Sequence, residues 1–349
     1  MRSVPWDPAM CGSRWTHIID VRSPAEYAQD HIPGAVNLPV LDDAQRAEIG
    51  TIYCQQSTFA ARRIGAAMVA RSIAAHLEDW FRDIPAADGI LCYCWRGGQR
   101  SRALATVVNA VGWNVDVLSG GYKAYRREVR ETLASLGPRM PFRILAGLTG
   151  SGKSRLLRTL AATGEQVLDF EALGRHRGSL LGQEPGSVQP TQKAFESALL
   201  HAVRGFSLQR PVWVESESKR IGNVQIPEAF WQTMLGAPVH ELVTPLEARV
   251  DFLVNEYVHF TRSPQSLLAL LPALLPLHGR ERLALWEVMI RGNQWAEFVR
   301  SLLITHYDPS YRRANRFQPP RHVHHAPDCS APTWQRLAAE LPRLAAAEG

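Results

Sequence analysis

Two glycine-rich loops constrain the fold of this chain more than any other feature of its 349 residues. The first loop is CWRGGQRS at residues 94–101, and the second is GLTGSGKS at residues 147–154. Each follows a short apolar run and precedes a segment with helical spacing, the order of a strand, an anion-binding loop and a helix. Short strands that alternate with helices predict an α/β fold with parallel sheets.

The apolar runs and helical segments predict two domains, 1–137 and 138–349, divided where Gly137-Pro138 breaks a helix. In the first domain, strands are predicted at 16–21, 89–93 and 114–118, and helices at 59–81, 101–111 and 122–136. In the second, strands are predicted at 142–146, 166–169, 212–215 and 238–243, before a leucine-rich helical part at 246–303 and a basic tail.

Composition indicates where the protein is located and which kinds of partner it fits. No apolar run reaches about 18 residues and no secretory signal begins the chain, so we expect no membrane span. The five cysteines are scattered, which favours a reducing cytoplasm over a disulfide framework. The net charge of +6 fits a polyanionic partner such as RNA and equally fits many enzymes of small metabolites.

The first loop predicts a reactive thiol in an anion site. Cys94 lies between a strand and a helix N-terminus, a position that lowers a thiol pKa and favours the thiolate. Gly97 and Gly98 permit close backbone approach, and Arg96 and Arg100 add positive charge that matches an oxyanion. The alternative is a structural cysteine beside a turn, but it leaves the glycines and arginines without a purpose.

The second loop fits the Walker A pattern G-x-x-x-x-G-K-[ST] at every fixed position. Gly147, Gly150 and Gly152 let the backbone wrap phosphates, and Lys153 neutralises the terminal ones. Ser154 is the candidate ligand if Mg²⁺ is used, and we predict no other metal site. The pattern predicts a polyphosphate ligand and does not by itself establish ATP hydrolysis.

Three carboxylates follow predicted strands of the second domain, which makes them candidate acid, base or acceptor-side groups. They are Asp169, Glu171 and Glu215, with Glu217 close by. A helix cap or a solvated loop accounts for each of them about as well. The arginines and aromatic residues of the tail fit either RNA contact or a solvated terminus. The histidines His306, His322, His324 and His325 lack the spacing of a zinc site.

Several motifs carry a resemblance to known families. DVRSPAEY at 20–27, HIPGAVNLP at 31–39 and Gly120-Gly121-Tyr122 resemble the rhodanese domain, whose loop cysteine carries sulfur or selenium. The spacing from Cys94 to Arg100 is seven residues, which differs from common sulfurtransferases and suits a larger, phosphate-like group. Together with the Walker loop, LDFE at 168–171, HRGS at 176–179 and ESESKRIG at 215–222, the chain resembles the tRNA 2-selenouridine synthases.

That resemblance implies a transferase that acts at the wobble uridine of the tRNAs for Lys, Glu and Gln. Geranyl diphosphate would alkylate the 2-thiouridine sulfur, and selenium from selenophosphate would then replace the S-geranyl group. Both donors are co-substrates, and no tightly bound cofactor is implied. We expect the Walker loop to hold the diphosphate, and the first loop to hold selenophosphate while Cys94 accepts or positions selenium. The main alternative is a sulfurtransferase or phosphatase coupled to an ATP-binding module.

Overall fold

The computed structural model describes residues 1–177, 188–216, 218–314 and 316–347. The chain divides into two compact units. The first contains Met1–Thr132 and Pro190–His201, and the second contains Leu133–Gln189 and Ala202–Gly349. The sequence-based division after residue 137 treats each domain as one continuous stretch, whereas the structure groups a short later segment with the first unit.

A parallel sheet forms the centre of the first unit. Among the described residues it has five strands: β1 (Arg2–Val4), β2 (His17–Asp20), β3 (Ala35–Asn37), β4 (Gly89–Tyr93) and β5 (Asn114–Leu118). They lie in the order β1-β5-β4-β2-β3, which puts β4 in the middle. Ile90, Leu91 and Cys92 of β4 are all buried, as expected for a parallel strand covered on both faces.

The helices between these strands in the chain are α1 (Pro24–Gln29), α2 (Asp43–Gln55), α3 (Thr58–Glu78) and α4 (Gln99–Val111), and α5 (Gly121–Leu136) follows β5. The predicted helices at 59–81, 101–111 and 122–136 correspond to α3, α4 and α5, with end shifts of a few residues. The strands β1 and β3 and the helices α1 and α2 were not predicted, because their segments are short or lack a clear apolar period.

A second parallel sheet forms the centre of the second unit. Its described strands are β6 (Phe142–Ala146), β7 (Gln166–Val167), β8 (Val212–Glu215), β11 (Val239–Val243) and β12 (His322–His325). They lie in the order β12-β11-β6-β8-β7. A separate antiparallel pair is formed by β9 (Arg220–Ile221) and β10 (Val224–Gln225). The four predicted strands are confirmed, although β7 is shorter than predicted. The central strand is β6, which leads into the Walker loop.

Helices cover this sheet and extend beyond it. They are α6 (Lys153–Ala162), α7 (Phe170–Gly174), α9 (Glu228–Gly236), α10 (Leu246–Glu256), α11 (Val258–Arg262), α12 (Pro264–Leu270), α13 (Leu275–Arg291), α14 (Trp295–Leu302), α15 (Asp308–Ala314) and α16 (Ala331–Ala347). The remaining helix, α8 (Gln192–Val203), falls mostly in the first unit. A π-helical turn at Leu303–Tyr307 joins α14 to α15, so residues 295–314 form one unbroken helical run.

The predicted leucine-rich helical part is confirmed, and it builds a hydrophobic core of its own. Leu267, Leu271, Trp286 and Phe298 are buried together there. A different cluster packs α16 on α6 through Trp334. Among the described helices, none has the length and apolar character needed to cross a membrane.

Candidate active sites

Each glycine-rich loop leaves the carboxyl end of the central strand of its own parallel sheet. Cys94 directly follows β4, and α4 begins at Gln99. Gly147 directly follows β6, and α6 begins at Lys153. Ligands of open α/β sheets bind at this edge, where a helix N-terminus directs N–H groups toward an anion. Both loops therefore have the backbone setting of an anion site.

The first loop is held closed by backbone contacts with the end of β5 and the start of α5. The Tyr122 N–H donates to the Cys94 carbonyl at 2.9 Å. Gly97 has a φ of 65°, and a Cβ there would lie 2.4 Å from the Leu118 carbonyl oxygen. Only glycine fits a left-handed position with so little space, so the loop depends on Gly97 for its shape.

The thiol of Cys94 is buried and hydrogen-bonded within this loop. The Gly98 N–H donates to its sulfur at 3.2 Å, and the Ser101 hydroxyl donates to it at 3.3 Å. Burial opposes ionisation of Cys94. The hydrogen bonds of Ser101, the charge of Arg100 and the hydrogen bond of Gly98 favour the thiolate and lower the pKa of Cys94 overall. The site thus favours a nucleophilic or anion-positioning thiolate.

The two loop arginines lie in different settings. Arg100 Nη1 is 2.7 Å from Glu26 Oε2, so its guanidinium is committed to an ion pair beside the loop. Burial works to raise the pKa of Glu26, but the hydrogen bond and charge of Arg100 lower it overall. Arg96 is exposed at the loop surface. Cys92, by contrast, is fully buried with its sulfur 3.5 Å from the Ser101 carbonyl, as expected of a structural cysteine.

A buried polar network in the same unit lies behind this loop. Asp20 and Arg22 form a fully buried ion pair, and the Arg22 guanidinium lies 3.9 Å from the centre of the Tyr122 ring. Tyr122 and Ser197 donate to Asp30 at 2.8 and 3.0 Å. Burial raises the pKa of Asp30 despite these hydrogen bonds. No motif around Ser197, in the later segment of the unit, indicates that it joins this network.

The Walker loop is formed and its lysine points back to its start. Lys153 Nζ donates to the Gly147 carbonyl at 2.9 Å. Gly152, with a φ of 82°, precedes α6, and a Cβ there would lie 2.4 Å from the Trp334 ring. The glycine is therefore required by the close packing of α16 as well as by the turn.

The predicted carboxylates lie around this loop in the same unit. Asp169 caps α7 by accepting the Ala172 N–H at 2.8 Å, and Glu171 is on that helix. Glu215 ends β8, is 7% exposed, and pairs across the sheet with Leu145 of β6. All three line one cavity with the Walker loop. Asp169 therefore caps α7, as one of the two alternatives proposed, and also lies at the candidate site.

This cavity has a volume of about 1380 Å³ and combines two chemistries. Its phosphate side includes Gly150, Gly152, Lys153 and Ser154. Its apolar wall comes from the helices after β11 and includes Phe260, Leu267, Trp295, Phe298, Leu302 and Leu303. A largely apolar cavity with a few convergent polar groups is typical of a ligand site.

One helical run connects the two parts of the cavity. The Tyr311 hydroxyl lies 3.0 Å from the Gly147 nitrogen, at the start of the Walker loop. Phe298 and Tyr311 lie on the same run, and the helical rise separates them by roughly 20 Å along its axis. The cavity is therefore long enough to hold an elongated ligand with an anionic head and an apolar tail.

The basic and aromatic tail contributes to this cavity in part. Tyr311, Arg316 and Phe317 line it, whereas Arg312 and Arg313 are exposed. The sequence singled out these residue types but gave no reason to place Tyr311 against the Walker loop.

The histidines noted near the end of the sequence lie mainly in strand β12. His322 and His324 alternate with outward-facing positions there. Within the described parts of the chain, no group of three or more His, Cys, Asp or Glu side chains is arranged to hold a metal ion. Gly178, Ser179 and Glu217, which belong to motifs noted in the sequence, lie outside the described residues.

Comparison with known proteins places both halves of the chain in families. Residues 140–267 match the family described as tRNA 2-selenouridine synthase AAA domain, and residues 8–128 match the rhodanese-like domain. The predicted combination of a rhodanese-like domain with a P-loop-type domain is therefore confirmed.

Individual relatives agree with these domain matches. A tRNA 2-selenouridine synthase of Bdellovibrio bacteriovorus is 33% identical over 338 residues, which is 84% of this chain and 87% of that protein. A protein of the same name from Nitrosomonas europaea is 37% identical over 247 residues. That alignment spans 70% of this chain and 64% of the relative's length.

Proposed function

This chain belongs to the tRNA 2-selenouridine synthase family, and we propose that it replaces the 2-sulfur of a wobble uridine in tRNA with selenium. We propose two steps: S-geranylation of 2-thiouridine by geranyl diphosphate, and then replacement of the S-geranyl group with selenium from selenophosphate. The substrates would be the tRNAs for Lys, Glu and Gln. The names of the relatives support tRNA and selenium. The two donors are those that the family resemblance implies, and the chemistry of the two sites is compatible with them.

The observation that carries the proposal is the cavity that the Walker loop shares with an apolar wall. A nucleotide would bring a polar base and ribose to that wall, whereas a prenyl diphosphate brings a hydrocarbon chain. Phe260, Trp295 and Phe298 offer the aromatic surface that such a chain buries. Lys153 and the loop N–H groups suit the diphosphate. The phosphate side of the cavity suits a diphosphate and its apolar wall suits a hydrocarbon chain, so the cavity favours geranyl diphosphate over ATP.

In the first step, the thiocarbonyl sulfur attacks C1 of the geranyl group while the C1–O bond breaks and diphosphate leaves. Lys153 and the loop amides stabilise the diphosphate anion as its charge develops. The N3 proton of the base must leave, and Glu171 or Glu215 of the cavity is a candidate acceptor. Ser154 and Glu215 provide oxygen ligands of the kind Mg²⁺ takes, and a bound Mg²⁺ would help neutralise the diphosphate.

In the second step, selenium of selenophosphate bonds to C2 of the base while the C2–S bond breaks and geranylthiol leaves. The phosphoryl group of the donor passes to water. We propose that the Cys94 loop holds selenophosphate, because the N-terminus of α4 suits its phosphate. The lowered pKa of Cys94 favours a thiolate, which we propose positions the selenium for attack on C2. S-alkylation comes first because an alkylated sulfur departs as a neutral thiol, whereas a thiocarbonyl sulfur leaves poorly.

The assignment of loops to steps can be tested on thiolated tRNA with purified variants. With geranyl diphosphate alone, Lys153→Ala should lose S-geranylation, and Cys94→Ala should retain it. With selenophosphate added, Cys94→Ala should accumulate geranylated tRNA without selenouridine. Mass spectrometry of tRNA nucleosides measures each product.

The exposed Cys54 provides a matched control, because Cys54→Ala removes a thiol far in sequence from either loop. This variant should perform both steps. The proposal is wrong if Cys94→Ala abolishes geranylation while Lys153→Ala preserves it, or if the wild-type protein forms neither product.

A further inference from the structure

Tyr311 joins the Walker loop to the neighbouring strand at the edge where ligands bind. Its hydroxyl accepts the Gly147 N–H at 3.0 Å and lies 2.8 Å from the Ser216 hydroxyl oxygen. Gly147 opens the loop after β6, and Ser216 directly follows β8. The phenol therefore engages polar groups from two adjacent strand ends.

The helix that carries Tyr311 is fixed to the same loop at a second point. Asp308, one turn earlier on α15, accepts two hydrogen bonds from Arg249 at 2.9 Å each. Arg249, which is 4% exposed, also donates to the Thr149 carbonyl at 3.1 Å. A bidentate buried pair is a rigid connection, so the position of the Tyr311 ring relative to the loop is well determined.

The ring lies beside the lysine that meets the terminal phosphates in Walker loops. Lys153 Nζ is 5.8 Å from the centre of the Tyr311 ring and is hydrogen-bonded to the Gly147 carbonyl. In loops of this pattern the lysine reaches the β- and γ-phosphates. The aromatic ring therefore lies on the side of the loop where the terminal phosphates of a polyphosphate would bind.

The loop has little freedom to move away from Tyr311. A Cβ at Gly150 would lie 2.8 Å from Leu253, and a Cβ at Gly152 would lie 2.4 Å from Trp334. The backbone is thus already in contact with side chains of α10 and α16. A longer polyphosphate would have to displace either the ring or this packing.

We infer that Tyr311 closes the terminal end of the Walker loop and makes it select two phosphates over three. The inference rests on the proposed function in that it explains how the site takes a prenyl diphosphate and disfavours a nucleoside triphosphate. It goes beyond that function because it assigns the selection to one side chain. Tyr311 is a specificity-determining residue held by Gly147 and Ser216.

Inorganic probes isolate this selection from the hydrocarbon and the nucleoside. Tripolyphosphate carries more negative charge than pyrophosphate, so electrostatic attraction to the loop alone favours tripolyphosphate. Binding of each probe to the full-length protein is measured by titration calorimetry at matched free Mg²⁺. The wild-type protein should bind pyrophosphate about tenfold more tightly than tripolyphosphate.

Two substitutions separate the ring from its hydroxyl. Tyr311→Ala opens the space and should lower the ratio of the two affinities about tenfold, whereas Tyr311→Phe keeps the ring and should stay within about threefold of the wild-type ratio. Lys153→Ala should bind neither probe, which locates the measured binding at the Walker loop. Thermal unfolding verifies that each variant is folded.

The inference is overturned if the wild-type protein binds tripolyphosphate as tightly as pyrophosphate, if it binds neither, or if Tyr311→Ala keeps the wild-type ratio. A failure of the proposed function has a different signature. In that case thiolated tRNA is not geranylated although the preference for pyrophosphate and its dependence on Tyr311 remain.

Discussion

At the scale of single residues, opposing effects set the pKa of the thiol in the first loop. Cys94 is 4% exposed, and burial alone would keep its thiol protonated. Ser101, at the first turn of α4, contributes most to reversing that effect, followed by the charge of Arg100. A serine seven residues after the cysteine is therefore part of the site, although nothing in the composition of the loop marks it as such.

Ser101→Ala should raise the pKa of Cys94, because the substitution removes a hydrogen bond to the thiolate. At neutral pH the rate of Cys94 alkylation should fall roughly threefold. A higher pKa leaves a smaller fraction of Cys94 as thiolate, but each remaining thiolate is more nucleophilic, which offsets part of the loss. The rate is followed against pH by mass spectrometry of the Cys94 peptide. Ser72→Ala, whose hydroxyl bonds only within α3, is the control. An unchanged pH profile in Ser101→Ala would contradict the prediction.

At the scale of elements, the pairing of β11 with β12 buries histidines side by side. His240 Nδ1 lies 3.2 Å from His324 Nε2, and the His240 ring stacks 5.1 Å from that of His322. Burial first, and then the charges of these neighbours, lower the pKa of His240 to about 3. The strand pair therefore holds a neutral histidine that takes up a proton on unfolding.

The stability of the second unit should accordingly fall in acid. The contribution of His240 to the free energy of unfolding is complete above the pKa of about 6.5 that it has in the unfolded chain. This contribution is lost as the pH falls toward 3, by up to about 1.4 kcal/mol per pH unit. Urea unfolding from pH 7 to pH 4 measures the slope. His240→Leu should flatten it, whereas His325→Leu, at an exposed position of the neighbouring strand β12, should not. Equal slopes in wild-type and His240→Leu proteins would sink the idea.

At the scale of the whole molecule, the first unit is discontinuous in sequence. Most of α8 belongs to it, about 60 residues beyond the end of its main stretch. Ser197 donates to the buried Asp30, and the Arg126 guanidinium pairs with Glu196. A fragment that ends at the predicted domain boundary would leave Asp30 and Arg126 without these partners.

A fragment of residues 1–137 should therefore be less stable than the same fragment linked to residues 188–203. The expected difference in unfolding free energy is about 1–3 kcal/mol, the cost of unsatisfied buried polar groups. Urea unfolding of both fragments measures it. A linked fragment with Ser197→Ala and Glu196→Ala should lose most of the gain. Identical midpoints for the two parent fragments would show that α8 does not complete the unit.

The sequence by itself determined the features that neighbouring residues encode. Both glycine-rich loops, the strands β4 and β6 before them and the helices after them follow from local apolar period and from backbone demands at Gly97 and Gly152. The family followed from the same motifs. Strands without such a pattern were missed: β12 is the histidine-rich segment His322–His325 and is a strand because it pairs with β11.

Only the tertiary structure decided which distant residues complete the sites. Tyr311 meets Gly147 across 164 positions, and Asp308 meets Arg249 across 59. The cavity wall likewise comes from helices that follow the loop by a hundred residues or more. Such contacts depend on how whole helices pack on the sheet, and packing is not encoded in any short window of sequence. Local sequence determines which residues form each loop, and the packing of distant helices determines which side chains surround the second loop.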